Sequence, residues 1–193
     1  MLKNMLLKAI HKSQHVQRNW DLSKSIPQED LEIIEQACLG APSKQNVTFF
    51  KPYFITDRDV ITRIHRNTLG FLIEDGKKGG VAMKGDRLTT NPQVLANLLV
   101  VFVKDFDAEK AAKNTDQGEN AKVMEMDMLG YSTGCCSCCN KDEIQRILGI
   151  DEKPLLLMGI GYPDQDKPRR QHHLKDELVF PTNRKDVVEV ERV

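Results

Sequence analysis

Three stretches of the chain carry side chains whose chemistry goes beyond what packing requires. Ala41-Pro42-Ser43-Lys44-Gln45-Asn46 gathers hydroxyl, ammonium and amide groups into one proline-broken turn. Such a turn suits a polar ligand, and equally a solvated loop. Lys167-Pro168-Arg169-Arg170-Gln171-His172-His173 offers charge-assisted donors of the kind that hold a phosphate, or a solvated basic tail. Cys135-Cys136-Ser137-Cys138-Cys139 contains two overlapping C-x-x-C spacings, so thiol redox exchange and metal binding stand beside plain packing. One short segment does not easily wrap four thiolates around a tetrahedral ion, and no spacing brings His172 or His173 to help. The chain has no Walker loop, no G-x-G-x-x-G after a strand and no H-E-x-x-H.

These groups need elements to hold them. Leu6, Leu7, Ala9 and Ile10 predict a short first helix. His11 to Trp20 is polar and basic, with Trp20 as its anchor. Ser25-Ile26-Pro27-Gln28 has capping-box spacing and an early proline, so a helix should start there and end at Gly40. Its inner face is Leu31, Ile34 and Cys38, with Ile33 and Ala37 beside it. Val47 to Thr56 reads as a strand that Pro52 pushes toward a sheet edge. A helix over Arg58 to Leu69 turns Val60, Ile61 and Ile64 inward. Gly70 to Thr90, with Gly76, Gly79, Gly80 and Gly85 among basic residues, reads as a long excursion of the lid or disordered kind. Leu98 to Val103 is wholly apolar, as a buried central strand requires. After the charged connection Asp105 to Gln117, Ala121, Met124 and Met128 share a helical face. Asn140 to Glu143 opens a helix that closes near Leu148-Gly149. Pro154 to Gly161 is a second buried strand, and Val187 to Val190 is strand-like. Mixed helices and strands without a repeat imply an α+β or α/β class.

The 193 residues carry 28 basic and 28 acidic side chains, a net charge of zero that argues against nucleic-acid binding through bulk charge. An apolar share of 40% with 29% charged residues is ordinary globular composition. This length buries roughly 70% of the unfolded surface in one core, without disulfide or metal staples. Residues 1–193 are therefore expected to form a single domain. Asn91 to Val103, the longest uncharged apolar stretch, falls short of the ~20 residues of a spanning helix. Lysines interrupt the N-terminal apolar run, which offers no signal-peptide core. Five cysteines, four of them crowded together, fit a reducing compartment, so the expected location is cytoplasmic.

The order of the pieces carries more than any piece alone. A His/Gln/Arg segment ahead of an aromatic, a capped helix, Ala-Pro-Ser-x-x-Asn, a strand, a lid, an Asn-x-Gln helix and a strand ending in Gly-Tyr-Pro resembles the FMN-dependent nitroreductase family. The resemblance runs from about Ala9 to Arg170 and is strongest over Ile26 to Asn46 and Leu148 to Pro163. It implies an α+β fold with a central, mostly antiparallel sheet wrapped by helices, in an intertwined homodimer that binds FMN at the interface. It implies a lid at about 70–90 and a C-terminal arm at about 164–193 that crosses to the partner. The implied activity takes hydride from NADH or NADPH and passes electrons to a nitroaromatic, quinone or similar small acceptor by a ping-pong mechanism. Neither nucleic acid nor membrane is an expected partner.

By the same resemblance, Pro42, Ser43 and Asn46, with Lys44 adjacent, are similar to the turn that touches the flavin ring and ribityl chain from the partner subunit. Asn91 and Gln93 are similar to the amides that reach the flavin side chain or pyrimidine edge. Amides can donate to flavin O2 or O4 and accept from N3–H, though as bare residues these read as helix-capping or surface groups. The family's Arg-x-Ser-x-Arg/Lys series, counted back from Trp20, falls on Gln14, Val16 and Arg18, with His15 between. A shifted register would use His11, Ser13 and His15 but breaks the aromatic spacing. One Arg and one Ser are missing, so Arg169 and Arg170 are expected to meet the phosphate, with Lys167 as a weaker alternative. Thr133 to Cys139 stands where the family brings backbone N–H groups near flavin N5 and O4, which puts Cys138 and Cys139 in the cofactor-binding set. Gly134 would allow the close approach. No metal ligand and no catalytic acid or base is expected, because hydride transfer is the cofactor's own reaction. The rivals are other flavin chemistry (flavin fragmentation, dehalogenation, azoline oxidation) and a non-catalytic thiol or metal sensor.

Overall fold

The computed structural model describes Asn4 and residues 16–40, 50–68, 71–74, 77–81, 90–105 and 131–167. The elements expected near Leu6, over Ala121 to Met128 and at Val187 to Val190 lie outside these residues, as does nearly all of the 105–117 connection. Among the described residues, the elements in chain order are α1 (Gln28–Leu39), β1 (Phe50–Ile55), α2 (Arg58–His65), β2 (Phe71–Glu74), β3 (Lys77–Val81), a 3-10 turn (Pro92–Val94), β4 (Leu98–Lys104), β5 (Ser132–Cys136), α3 (Lys141–Leu148) and β6 (Pro154–Gly161).

β4 organises the sheet because its apolar run is buried on both faces. The strand order is β1-β4-β6-β5, with every pairing antiparallel. Successive side chains of a strand point to opposite faces, so Leu99, Val101 and Val103 join Ile61, Ile64, Ile144 and Leu157 under α2 and α3. Leu98, Val100 and Phe102 join Ile34, Cys38, Met158 and Ile160 under α1. Each such side chain contributes roughly 1.5–3 kcal/mol by leaving water. Pro52 sits in β1, an edge strand, where its missing N–H costs no ladder bond on the outer side. Tyr131, at the entrance to β5, donates its hydroxyl to Asp30 of α1 and so pins that helix to the sheet.

Several expectations need correction. Ser25 does not cap α1: Pro27 holds the N-cap position with no side-chain bond, and its carbonyl accepts from Asp30 and Leu31. Glu29 and Asp30 in the first turn suit the positive end of the helix dipole. Ile34 and Cys38 are buried as expected, but Ile33 and Ala37 face outward. α2 stops at His65, short of Leu69, because side chains take over the last carbonyls: Asn67 Nδ2 donates to the Arg63 carbonyl at 3.0 Å and Thr68 Oγ1 to the His65 carbonyl at 2.7 Å. The glycine-rich excursion contains an antiparallel hairpin, β2–β3. α3 follows its sequence signals closely. Asn140 Oδ1 accepts from the Glu143 N–H, and Gly149 closes the helix at φ +64°, a left-handed conformation that glycine adopts without a Cβ penalty. The segment expected to pass by as a connection, Ser132–Cys136, is itself the second edge strand.

Candidate functional site

Residues 90–97 lie directly on the sheet because three glycines let them. A Cβ on Gly134 would come within 2.8 Å of the Gln17 carbonyl oxygen and 2.9 Å of Gln93 Cβ. One on Gly159 would overlap the Gln93 carbonyl oxygen, and one on Gly161 would overlap Asn97 Oδ1. The seat is fixed from above by the segment 17–21. Gln17 N–H donates to the Thr133 carbonyl at 2.8 Å, Trp20 Nε1 to the Pro92 carbonyl at 2.9 Å, and Asp21 N–H to the Tyr162 carbonyl at 2.9 Å. Asn97 stitches the same layers, accepting from Tyr162 N–H at 3.0 Å and donating to the carbonyls of Asp21 and Lys24.

On this platform Arg18, Gln93 and the Cys135 carbonyl meet. With the Gln93 carboxamide turned to satisfy both neighbours, its nitrogen donates to the Cys135 carbonyl and its oxygen accepts from Arg18 Nη2 at 3.3 Å. Burial lowers the Arg18 pKa from its ordinary value, yet a guanidinium keeps its charge at neutral pH. Asn91 caps the 3-10 turn, its Oδ1 accepting from Gln93 N–H at 3.0 Å, and its own N–H donates to Thr68 Oγ1 at 2.8 Å. Arg18 and Lys167 line one cleft of about 190 Å³ together with Trp20, Leu95 and Asp164. The cleft is thus lined by two cations and one carboxylate.

The cysteine segment divides. Cys135 packs toward the α1 side of the sheet, whereas Cys136, Cys138 and Cys139 pack with the core under α2 and α3. The Cys135/Cys138 spacing is therefore split between the two faces. Thr68 bridges to Cys139, which sets that residue's backbone beside the Asn91 anchor. Burial pushes the Cys136 thiol up to about 11, opposed in part by hydrogen bonds with the Cys138 backbone and the Asn91 side chain. It also raises Cys139, and it lifts Cys38 to about 11. Among the described residues no group of three or more His, Cys, Asp or Glu is placed to hold a metal ion. Since the thiolate is the nucleophile, the buried Cys38 and Cys136 should react slowly with iodoacetamide in the native protein at pH 8 and promptly once it is unfolded. Peptide mass spectrometry checks this, with all five labelling alike in urea; prompt labelling of Cys136 in the native state would contradict the burial argument.

Arg18, Asn91 and Gln93 of the sequence-predicted set are thus brought together, with Cys138 and Cys139 on the core side of the same junction. Gln14, His15, Pro42, Ser43, Lys44, Asn46, Arg169 and Arg170 lie outside the described residues. Gly134 is a point of close approach, as expected, though to Gln17 and Gln93; sequence reasoning missed Gln17, Asn97, Gly159 and Gly161. The spacing Gly159-x-Gly161 at a strand end was the available signal.

The nitroreductase family model matches residues 12–162. The chain belongs to the nitroreductase family. Solved structures with the same fold agree. A protein from Staphylococcus epidermidis assigned as an NAD(P)H:FMN oxidoreductase is 14% identical, with 96% of this chain and 95% of that one covered and a TM-score of 0.59. A nitroreductase family protein from Streptococcus pneumoniae is 15% identical over 96% of this chain and 100% of the other, with a TM-score of 0.58. A protein from Exiguobacterium sibiricum assigned as a nitroreductase, solved in complex with FMN, is 16% identical over 96% of each chain, with a TM-score of 0.58. At these identities the likeness speaks for the fold. No curated protein matches the chain. The four-stranded antiparallel sheet and the helices packed on it are what this nitroreductase-family chain was expected to have, and no described helix is long and apolar enough to cross a membrane.

Proposed function

We propose that this nitroreductase-family protein is an FMN-dependent NAD(P)H oxidoreductase that passes reducing equivalents to a nitroaromatic, quinone or similar small acceptor in two half-reactions. The observation that carries the reading is the junction of a half-buried guanidinium with two carboxamides on a glycine-floored platform. The donor set fits the group: a flavin pyrimidine edge offers carbonyl oxygens to a cation and to amides. FMN, when bound, supplies the hydride acceptance and release. Arg18 would hold the ring's carbonyl oxygens, its fixed positive charge favouring a reduced, anionic flavin, and charge-assisted bonds of this kind are the strong ones. Gln93 is engaged within the protein and holds Arg18 in place, while the capping bond of Asn91 orients its amide group.

In this reading the site is completed by a second copy of the chain, with Pro42, Ser43, Lys44 and Asn46 reaching across. The phosphate end is proposed to be held by Arg169 and Arg170, with Lys167 as the weaker alternative. Cys138 and Cys139 are proposed to back the ring from the core side. Residues 1–193 act in this reading as one domain in a cytoplasmic homodimer.

Protein purified with riboflavin available should be yellow, bleach on anaerobic addition of NADH or NADPH, and recolour with a quinone or nitroaromatic, giving parallel lines in two-substrate kinetics. Colourless protein that takes up no added FMN and oxidises neither nicotinamide would overturn the proposal.

A further inference from the structure

Gln17 is fully buried, and its two polar ends are unequally used. Its Oε1 accepts from two successive backbone N–H groups, Arg18 at 2.9 Å and Asn19 at 3.3 Å. Its Nε2 is buried with no acceptor among the described residues. A buried donor left unpaired is costly, so an apolar side chain would serve this position better if filling space were the whole task. What an apolar side chain lacks is the bridging oxygen. By gathering both N–H groups, that oxygen fixes the backbone at 17–19, whose other side is locked by the Gln17–Thr133 bond and by close contact with Gly134. Arg18 leaves this fixed stretch with Nη1 3.5 Å from the Val16 carbonyl and Nη2 on Gln93. A long side chain loses much rotamer freedom when held in one geometry, so its direction at the root decides how often the fork is in place.

We infer that Gln17 is the positioning residue for Arg18: its side-chain oxygen sets the backbone from which the guanidinium reaches the flavin site. This rests on the flavin reading above.

The test is a double-substitution cycle read by FMN titration of the apoprotein, followed by flavin fluorescence and independent of turnover. Wild-type protein must first bind FMN; if it does not, the functional reading fails and the cycle is not reached. Gln17→Met, matched in size but without the oxygen, should weaken FMN binding roughly tenfold. Arg18→Met should weaken it further. Because Gln17 acts through Arg18, the double variant should bind like Arg18→Met alone. Full additivity of the two effects would reduce Gln17 to a fold-stabilising residue, and an unchanged dissociation constant in Gln17→Met would remove it from the site. Should Gln17→Met not fold, Gln17→Asn decides. Its neutral carboxamide oxygen can still accept from the Asn19 N–H, as in an Asx turn, and it should bind FMN within about threefold of wild type; weakening beyond tenfold overturns the inference.

Discussion

Gly159→Ala should destabilise the protein by roughly 3 kcal/mol or more and abolish tight FMN binding at the same time. The new Cβ would overlap the Gln93 carbonyl oxygen and stand 2.9 Å from Ala96 Cβ and 3.2 Å from the Gln93 carbonyl carbon. Two of these three obstacles are main-chain atoms, so no rotamer change clears the space. Either β6 moves, against its pairing with both β4 and β5, or the 3-10 turn lifts off the sheet. Overpacking of a dense interior typically costs 1–3 kcal/mol, and more where the backbone must give. For a chain of this size each kcal/mol is about 2–4 °C in Tm, so a fall of about 10 °C is expected. Lifting the turn also carries Asn91 and Gln93 away from Arg18, which links the thermal and the binding losses. Gly149→Ala is the control. Its φ of +64° strains a side chain, but nothing lies within 4 Å of the added methyl, so only about 1 kcal/mol is lost and FMN binding stays. Thermal unfolding and FMN titration of both variants check this, and equal behaviour of the two would refute the seat.

Arg18→Ala should raise the FMN dissociation constant by about 10- to 100-fold while leaving the apoprotein's Tm within ~2 °C of wild type. A hydrogen bond to a charged group is worth ~1.5–3 kcal/mol, and each 1.4 kcal/mol is tenfold in affinity. The apoprotein loses little, because removing a cation that burial disfavours offsets the bond lost to Gln93. Arg18→Lys should recover only part of the affinity, since an ammonium keeps the charge but lacks the planar fork. Retained affinity in Arg18→Ala would move the flavin away from this junction.

What could be read from the sequence follows from where the determining forces lie. β4 was legible because six consecutive apolar residues have few ways to be buried, and α3 because Asn140 and Gly149 mark its ends with their own side chains and backbone. β5 was not. Ser132, Thr133, Gly134, Cys135 and Cys136 carry little β-branched character, and Gly134 must be small because Gln17 and Gln93 lie over it, a demand made by distant parts of the chain. The Ser25 spacing misled for a similar reason, since Pro27 fixes the start of α1 through its own carbonyl. Arg18, Asn91 and Gln93 were found through the order of motifs along the chain. Gln17 and Asn97 were not, because a buried amide announces itself only once its partners are known.

The junction of residues 17–21, 90–97 and the two strand ends is joined by main chain alone at three points, Gln17 to Thr133, Asp21 to Tyr162 and Asp164 to Asn19, and elsewhere by the side chains of Trp20 and Asn97. The main-chain bonds are blind to which side chain is attached. Drift of the sequence can therefore proceed at their positions without loosening the platform, provided Trp20, Asn97 and the small residues of its floor are kept. A chain can in this way become nearly unrecognisable beside others of its fold and still keep the same platform.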